Sequence, residues 1–121
     1  MSGQRTFRRL TMPELGAWLQ ARPGALVLDA RDAASHARDG WPGAVLLARH
    51  NQDALLLQTE RRRPILIYCY HGIASQEWAQ MFADFGFTEV WDLIGGHAAW
   101  AAARLEPASS LRTPWIPTDP H

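Results

Sequence analysis

The sequence predicts one α/β domain with a largely parallel sheet and helices packed against it. Short apolar runs alternate with segments of helical spacing, and glycine- or proline-containing turns separate them. The chain has 121 residues, of which 47% are hydrophobic and 20% charged, so one domain can bury a core of ordinary size. No internal repeat is visible.

The first half of the chain divides into two helix–strand alternations. Thr11-Met12-Pro13-Glu14 has the form of a capping box, and the spacing of Leu15, Trp18 and Leu19 predicts a helix over 12–21. Pro23-Gly24 ends that helix. The elements predicted next are a buried strand over 25–28 ending at Asp29, a short helix over 32–39, a strand over 44–47, and a helix over 51–58 with Asn51 as its N-cap.

The second half contains the most apolar run, Ile65-Leu66-Ile67-Tyr68, which predicts a strand that ends at Cys69. Trp78, Phe82 and Phe85 lie on one face of a helix predicted over 77–85. A strand over 88–91, a turn at Gly95-Gly96 and a helix over 97–105 complete the domain, predicted as residues 1–105. Residues 106–121 contain four prolines, which predicts an extended tail, with Trp115 and Ile116 suggesting partial docking.

Composition excludes several classes of function. The formal net charge is zero, so no overall field attracts nucleic acid or an anionic membrane. All twelve basic residues are arginine, which excludes lysine Schiff-base chemistry. The chain shows neither a signal peptide nor a membrane span, and one cysteine forms no internal disulfide, so we expect a cytoplasmic protein. The His, Cys, Asp and Glu spacing predicts no metal site, and we expect no cofactor.

The single cysteine is the candidate nucleophile. Cys69 follows a predicted strand, opens the segment Cys69-Tyr70-His71-Gly72-Ile73-Ala74-Ser75, and precedes a helix. Backbone N–H groups of such a loop, together with the dipole of the following helix, stabilise an anionic sulfur. A cysteine at the end of an apolar strand also packs as a small hydrophobic residue, so this pattern alone leaves both readings open.

Four segments together resemble the rhodanese (sulfurtransferase) family. They follow the family's order. Leu28-Asp29-Ala30-Arg31 resembles its D-x-R, and Asp39-Gly40-Trp41-Pro42-Gly43-Ala44 resembles its G-H-I-P-G-A, with Asp39 and Gly40 where glycine and histidine are usual. The segment 69–75 matches its active-site loop, and Gly95-Gly96 with Trp100 matches its G-G-x-x-x-W. The resemblance implies a rhodanese-like fold, a five-stranded, mostly parallel sheet flanked by helices. The loop is similar to the C-Y-H-G-x-x-S variant of small bacterial thiosulfate sulfurtransferases.

The resemblance implies that Cys69 carries a persulfide and that the loop residues bind the substrate: Tyr70, His71, Gly72, Ile73, Ala74 and Ser75. It implies a six-residue loop, from Cys69 to Ala74, and Ser75 at the next position is a suitable N-cap. Asp29 and Arg31 match a structural ion pair of the family, and Arg31 is a further candidate for the site. The family often has arginine at the second or sixth loop position, where this chain has Tyr70 and Ala74.

The predicted function is transfer of sulfane sulfur from thiosulfate, or a similar small anionic donor, to cyanide or a thiol acceptor. A thioredoxin-like dithiol is a candidate acceptor. Catalysis through a covalent cysteine persulfide predicts ping-pong kinetics. Two alternatives stay open: a persulfide carrier or binding module without turnover, and an arsenate reductase or phosphatase on the same scaffold. Related phosphatases have a loop one residue longer, which favours sulfur here.

Overall fold

A computed structural model describes residues 6–104 and contains one five-stranded sheet with five helices. Its strands lie in the order β1-β5-β4-β2-β3, and every pairing is parallel, so the α/β prediction is confirmed. The strands are β1 (Arg8–Leu10), β2 (Leu26–Asp29), β3 (Val45–Leu46), β4 (Ile65–Tyr68) and β5 (Val90–Leu93). The helices are α1 (Met12–Ala21), α2 (Ala33–Asp39), α3 (Gln52–Gln58), α4 (Ala74–Asp84) and α5 (Gly96–Arg104).

The central strand β4 is buried on both faces, and its alternating side chains contribute to two cores. Ile65 and Ile67 pack in the core covered by α3 and α4, and Leu66 and Tyr68 pack in the core covered by α1 and α5. A strand in the centre of a parallel sheet is covered on both sides, which explains its continuous apolar run. β4 ends at Tyr68, so Cys69 is the first residue after the buried strand.

Capping residues explain where α1 and α2 begin, but not α3. At α1, the Thr11 backbone N–H donates to Glu14 Oε1 at 2.9 Å, one half of the capping box. At α2, the Asp32 side chain accepts from the Ser35 N–H at 2.7 Å. Asn51 is the N-cap residue of α3, but its side chain makes no cap hydrogen bond and contacts the backbone of Leu46 and Ala48 instead.

The structure corrects four predictions from the sequence. Strand β1 was missed, because Arg8-Arg9-Leu10 has no apolar run and forms a strand only by pairing with β5. Strand β5 covers 90–93 rather than 88–91. Helix α4 covers 74–84 rather than 77–85, and α5 begins at Gly96, which the sequence had placed in a turn.

The predicted tail, residues 106–121, lies outside the described residues. Within residues 6–104, no helix has the length and apolar character needed to cross a membrane. The same part of the chain contains no group of three or more His, Cys, Asp or Glu side chains placed to hold a metal ion.

Candidate active site

Cys69 lies at the carboxyl end of β4, and its side chain is enclosed by the loop that follows. The residue is only 3% exposed. Its Sγ accepts two backbone hydrogen bonds, from the N–H of Gly72 and from the N–H of Ser75, each at 3.2 Å. Both donors favour a negative charge on sulfur, so the segment 69–75, called the active-site loop below, forms an anion-binding turn.

Helix α4 begins inside this loop and points its N-terminus at the sulfur. The helix starts at Ala74 with Ile73 as N-cap, so Ser75 is its second residue and the prediction of Ser75 as N-cap was wrong. The Ser75 N–H is one of the free N–H groups of the first helical turn, and it donates to Cys69 Sγ rather than to a cap. The dipole of an eleven-residue helix therefore acts directly on the sulfur.

The N-terminus of α5 packs on the outer side of the same loop. The His97 N–H donates to the Cys69 carbonyl at 2.7 Å, and the Ala98 N–H donates to the Tyr70 carbonyl at 3.0 Å. This contact needs glycine at position 96, because a Cβ there would lie 2.5 Å from the Cys69 carbonyl oxygen. Gly72 is similarly constrained: its φ is 85°, and a Cβ would lie 2.7 Å from the Gly95 nitrogen.

A charge pair, Arg9 of β1 and Asp92 of β5, lies next to the loop. The Arg9 guanidinium donates to both carboxylate oxygens of Asp92, at 2.8 and 2.9 Å, and to the Gly72 carbonyl at 2.8 Å. Asp92 is fully buried and also accepts from the Ser75 hydroxyl at 2.8 Å. The Gln76 side chain is a second donor to the Gly72 carbonyl, at 2.8 Å.

Tyr70, at the second loop position, contacts residues at the start of α2. Its hydroxyl donates to the Asp32 carboxylate, and it lies 3.3 Å from both the Asp32 backbone nitrogen and Ser35 Oγ. The ring is 44% exposed. Tyr70 therefore contacts the Asp32 carboxylate through its hydroxyl, and the Arg31 guanidinium carbon lies 5.9 Å from the centre of its ring.

Arg31 is held in a buried ionic network. Its guanidinium donates to both oxygens of Asp29, to Asp39 at 2.9 Å and to the Ser35 carbonyl. Burial opposes its charge, but the hydrogen bonds to Asp29 and Asp39 outweigh burial and raise the pKa of Arg31. The pKa of Asp29 is lowered despite its burial, because Arg31, His36 and Tyr68 donate to it. Arg31 thus forms an ion pair with Asp29, as the resemblance implied.

The remaining predicted loop residues reach solvent. His71, Ile73 and Ala74 are exposed, and Ile73 is 75% exposed, so they border the entrance to Cys69. Sequence reasoning missed Arg9, Asp92 and Gln76. Asp92 carried a usable signal, since a carboxylate inside the apolar run Val90-Trp91-Asp92-Leu93 has to be paired when the strand is buried. Arg9 carried none, because its partner is 83 positions away.

Curated proteins of similar sequence include two small bacterial enzymes. The chain is 36% identical over 89 residues to thiosulfate sulfurtransferase GlpE from Coxiella burnetii, covering 73% of this chain and 83% of that protein. It is 34% identical over 98 residues to thiosulfate sulfurtransferase GlpE from Shewanella oneidensis, covering 81% of this chain and 96% of that protein.

Solved structures share the fold. The solution structure of a rhodanese-like domain from Anabaena sp. matches with a TM-score of 0.69 and 25% identity, over 78% of this chain and 73% of that one. A protein of unknown function from Rhodopseudomonas palustris, described as a possible tyrosine phosphatase, matches with a TM-score of 0.67. Its identity is 24%, over 81% of this chain and 82% of that one, and it shows the fold alone.

The family model for the rhodanese-like domain matches residues 11–103, which include every element from α1 to α5 except the last residue of α5, and the whole active-site loop. This range contains each of the four segments on which the resemblance was based. The chain therefore belongs to the rhodanese-like domain family.

Proposed function

We propose that this protein is a sulfurtransferase that moves sulfane sulfur from a small anionic donor, such as thiosulfate, to a thiophilic acceptor through a persulfide on Cys69. The observation that carries the proposal is the pair of N–H groups, from Gly72 and Ser75, that both donate to Cys69 Sγ. The two similar bacterial thiosulfate sulfurtransferases support the choice of donor class.

In the first half-reaction, the Cys69 thiolate attacks the outer sulfur of thiosulfate. The new bond is Cys69 S–S, the bond between the two thiosulfate sulfurs breaks, and sulfite leaves with the bonding electron pair. The product is a persulfide monoanion, and the charge is conserved because sulfite keeps the two negative charges of thiosulfate. N–H groups already aimed at the sulfur stabilise this anion without reorganising.

In the second half-reaction, the acceptor attacks the outer sulfur of the persulfide. Cyanide leaves as thiocyanate, or a dithiol protein of thioredoxin type takes the sulfur as its own persulfide, and Cys69 is released as a thiolate. The exposed His71, Ile73 and Ala74 are the loop residues available to contact donor and acceptor. A cytoplasmic location suits this cycle, since thiols stay reduced there.

Donor binding in this proposal depends mainly on backbone N–H groups. Within the described residues, both arginines near the loop are paired, Arg31 with Asp29 and Asp39, and Arg9 with Asp92. Asp32 beside Tyr70 adds negative charge on that side. We therefore expect a high KM for the dianion thiosulfate and better use of less charged persulfide donors.

The test combines intact-mass spectrometry with turnover. The protein is incubated with thiosulfate, its mass is measured, cyanide is added, and thiocyanate is followed; Cys69→Ser is the matched control. We expect wild type alone to gain one sulfur atom and to lose it to cyanide with turnover. A persulfide that only a protein dithiol removes would indicate the carrier alternative. Absence of any adduct, with turnover of arsenate or a phosphate ester, would overturn the proposal.

A further inference from the structure

The active-site loop lacks an arginine of its own, yet a guanidinium reaches it from outside. Arg9 belongs to the edge strand β1, and it bridges the Gly72 carbonyl and the Asp92 carboxylate with three hydrogen bonds of 2.8 to 2.9 Å. The Arg9 side chain is 23% exposed and that of Asp92 is fully buried. A bidentate pair with one fully buried partner has a fixed geometry.

Each member of the charge pair holds one of the two residues that donate to sulfur. Arg9 binds the carbonyl of Gly72, whose N–H donates to Cys69 Sγ. Asp92 binds the hydroxyl of Ser75, whose N–H is the other donor to Sγ. The two N–H groups come from different parts of the loop, and the charge pair connects them in addition to the Gln76 side chain, which also donates to the Gly72 carbonyl.

From this arrangement we propose that Arg9 and Asp92 are a pair of positioning residues that hold the two N–H donors on Cys69 and balance the charge around its thiolate. The inference rests on the proposed sulfurtransferase function, and it assigns to β1 the cationic role that the loop itself does not supply. Neither side chain contacts the donor; both act through Gly72 and Ser75.

The electrostatics around the sulfur support this role. The hydrogen bond to Asp92 is the main cause that raises the pKa of Arg9; burial opposes it, and the charges of Asp92 and Cys69 raise it further. The charged or titratable groups on the surrounding elements are Arg9 on β1, Asp92 on β5, Tyr70 and His71 in the loop, Glu77 on α4, His97 on α5, and Asp29, Arg31 and Asp32 at and after the end of β2. Removing Arg9 leaves the buried Asp92 carboxylate with the Ser75 hydroxyl but without a cation, and its uncompensated negative charge opposes a thiolate nearby.

The test measures how the rate of Cys69 alkylation by iodoacetamide depends on pH. Only the thiolate reacts, so the midpoint of the profile reports the balance of charge at sulfur. We expect Arg9→Met to raise the midpoint and Asp92→Asn to lower it, because the first removes a positive charge near the sulfur and the second a negative one. Arg8→Met is the matched control, since Arg8 is the preceding residue of β1 and lies over the Trp91 ring; we expect its midpoint to equal that of wild type.

Opposite shifts separate electrostatic positioning from general damage, which would move both variants the same way. If Arg9→Met does not fold, the double variant Arg9→Met/Asp92→Asn removes both charges and leaves no unpaired buried carboxylate. Its midpoint should lie above that of Asp92→Asn, with persulfide formation from thiosulfate slowed by at least tenfold.

Equal midpoints for Asp92→Asn, the double variant and wild type would overturn the inference. Alkylation requires no sulfur donor, so this result is independent of the persulfide assay. Failure of the charge-pair inference and failure of the proposed function are therefore distinguishable.

Discussion

Gly96→Ala tests whether the contact between α5 and the active-site loop sets the geometry of the sulfur site. The added Cβ would lie 2.5 Å from the Cys69 carbonyl oxygen, 2.7 Å from the Tyr70 carbonyl carbon and 2.8 Å from the Gly72 nitrogen. All three are backbone atoms, so no flexible side chain can move aside. The loop and the start of α5 have to separate.

The magnitude follows from three contributions. An alanine at the Gly96 φ of 61° costs about 1–2 kcal/mol. Loss of the hydrogen bonds from His97 and Ala98 to the loop carbonyls costs about 1 kcal/mol each. We expect the free energy of unfolding to fall by roughly 3–4 kcal/mol. If the Gly72 N–H also moves off Cys69 Sγ, a charge-assisted bond of about 1.5–3 kcal/mol is lost, which slows persulfide formation roughly 10- to 150-fold.

Urea denaturation measures the first quantity, and single-turnover persulfide formation with thiosulfate, followed by mass, measures the second. Gly43→Ala is the matched control, because Gly43 also has a positive φ, of 85°, but its Cβ would have no neighbour within 4 Å. It should lose about 1–2 kcal/mol of stability and no activity. If Gly96→Ala behaves like Gly43→Ala in both assays, the contact does not set the geometry of the site.

Three further variants address the side chains around the loop. Ser75→Ala keeps the N–H that donates to Cys69 Sγ but leaves Asp92 without its hydroxyl donor. Urea denaturation should show that the free energy of unfolding falls by about 1–3 kcal/mol. Unchanged stability would contradict the buried hydrogen bond. Tyr70→Arg should lower the KM for thiosulfate about fivefold, with Tyr70→Phe as control; an equal effect of both variants would argue against a missing cation. The pKa of Asp29 is lowered in the folded protein, so its stabilisation is present above the unfolded value of about 3.8 and is lost as pH falls through the folded value. The urea concentration at the unfolding midpoint of wild type should therefore decrease as the pH falls below about 4. Asp29→Asn should have a lower midpoint at neutral pH, and that midpoint should depend less on pH.

Elements with a strong local signal could be predicted from the sequence. Helix α1 has its capping residues and an apolar stripe within ten positions, and the observed bounds equal the predicted ones. Strand β4 is buried at every residue, so its composition alone identified it and placed Cys69 at its end. In both cases the information lies within the element.

Elements that depend on distant partners could not be predicted. β1 is three residues long and contains two arginines, and it is a strand because β5, more than 80 positions away, offers a free edge. β5 was predicted two residues too early, at 88–91 instead of 90–93. Asp92 is buried within β5 because Arg9 and Ser75 compensate its charge. Its place in an apolar run indicates that it needs a partner, but nothing local to the strand identifies Arg9 or Ser75 as that partner.

The position of a positive charge determines whether it affects the donor anion or the sulfur of Cys69. An arginine within the loop would face the donor anion, whereas Arg9 approaches the Gly72 carbonyl and is compensated by Asp92. Its effect therefore falls on the sulfur anion, which occurs in both half-reactions, and not on the charge of the donor. Arg9 and Asp92 variants should then change the reactivity of the thiolate with any reagent. Tyr70→Arg should change only the affinity for anionic donors, because position 70 is exposed, whereas the hydrogen bonds to sulfur come from Gly72 and Ser75.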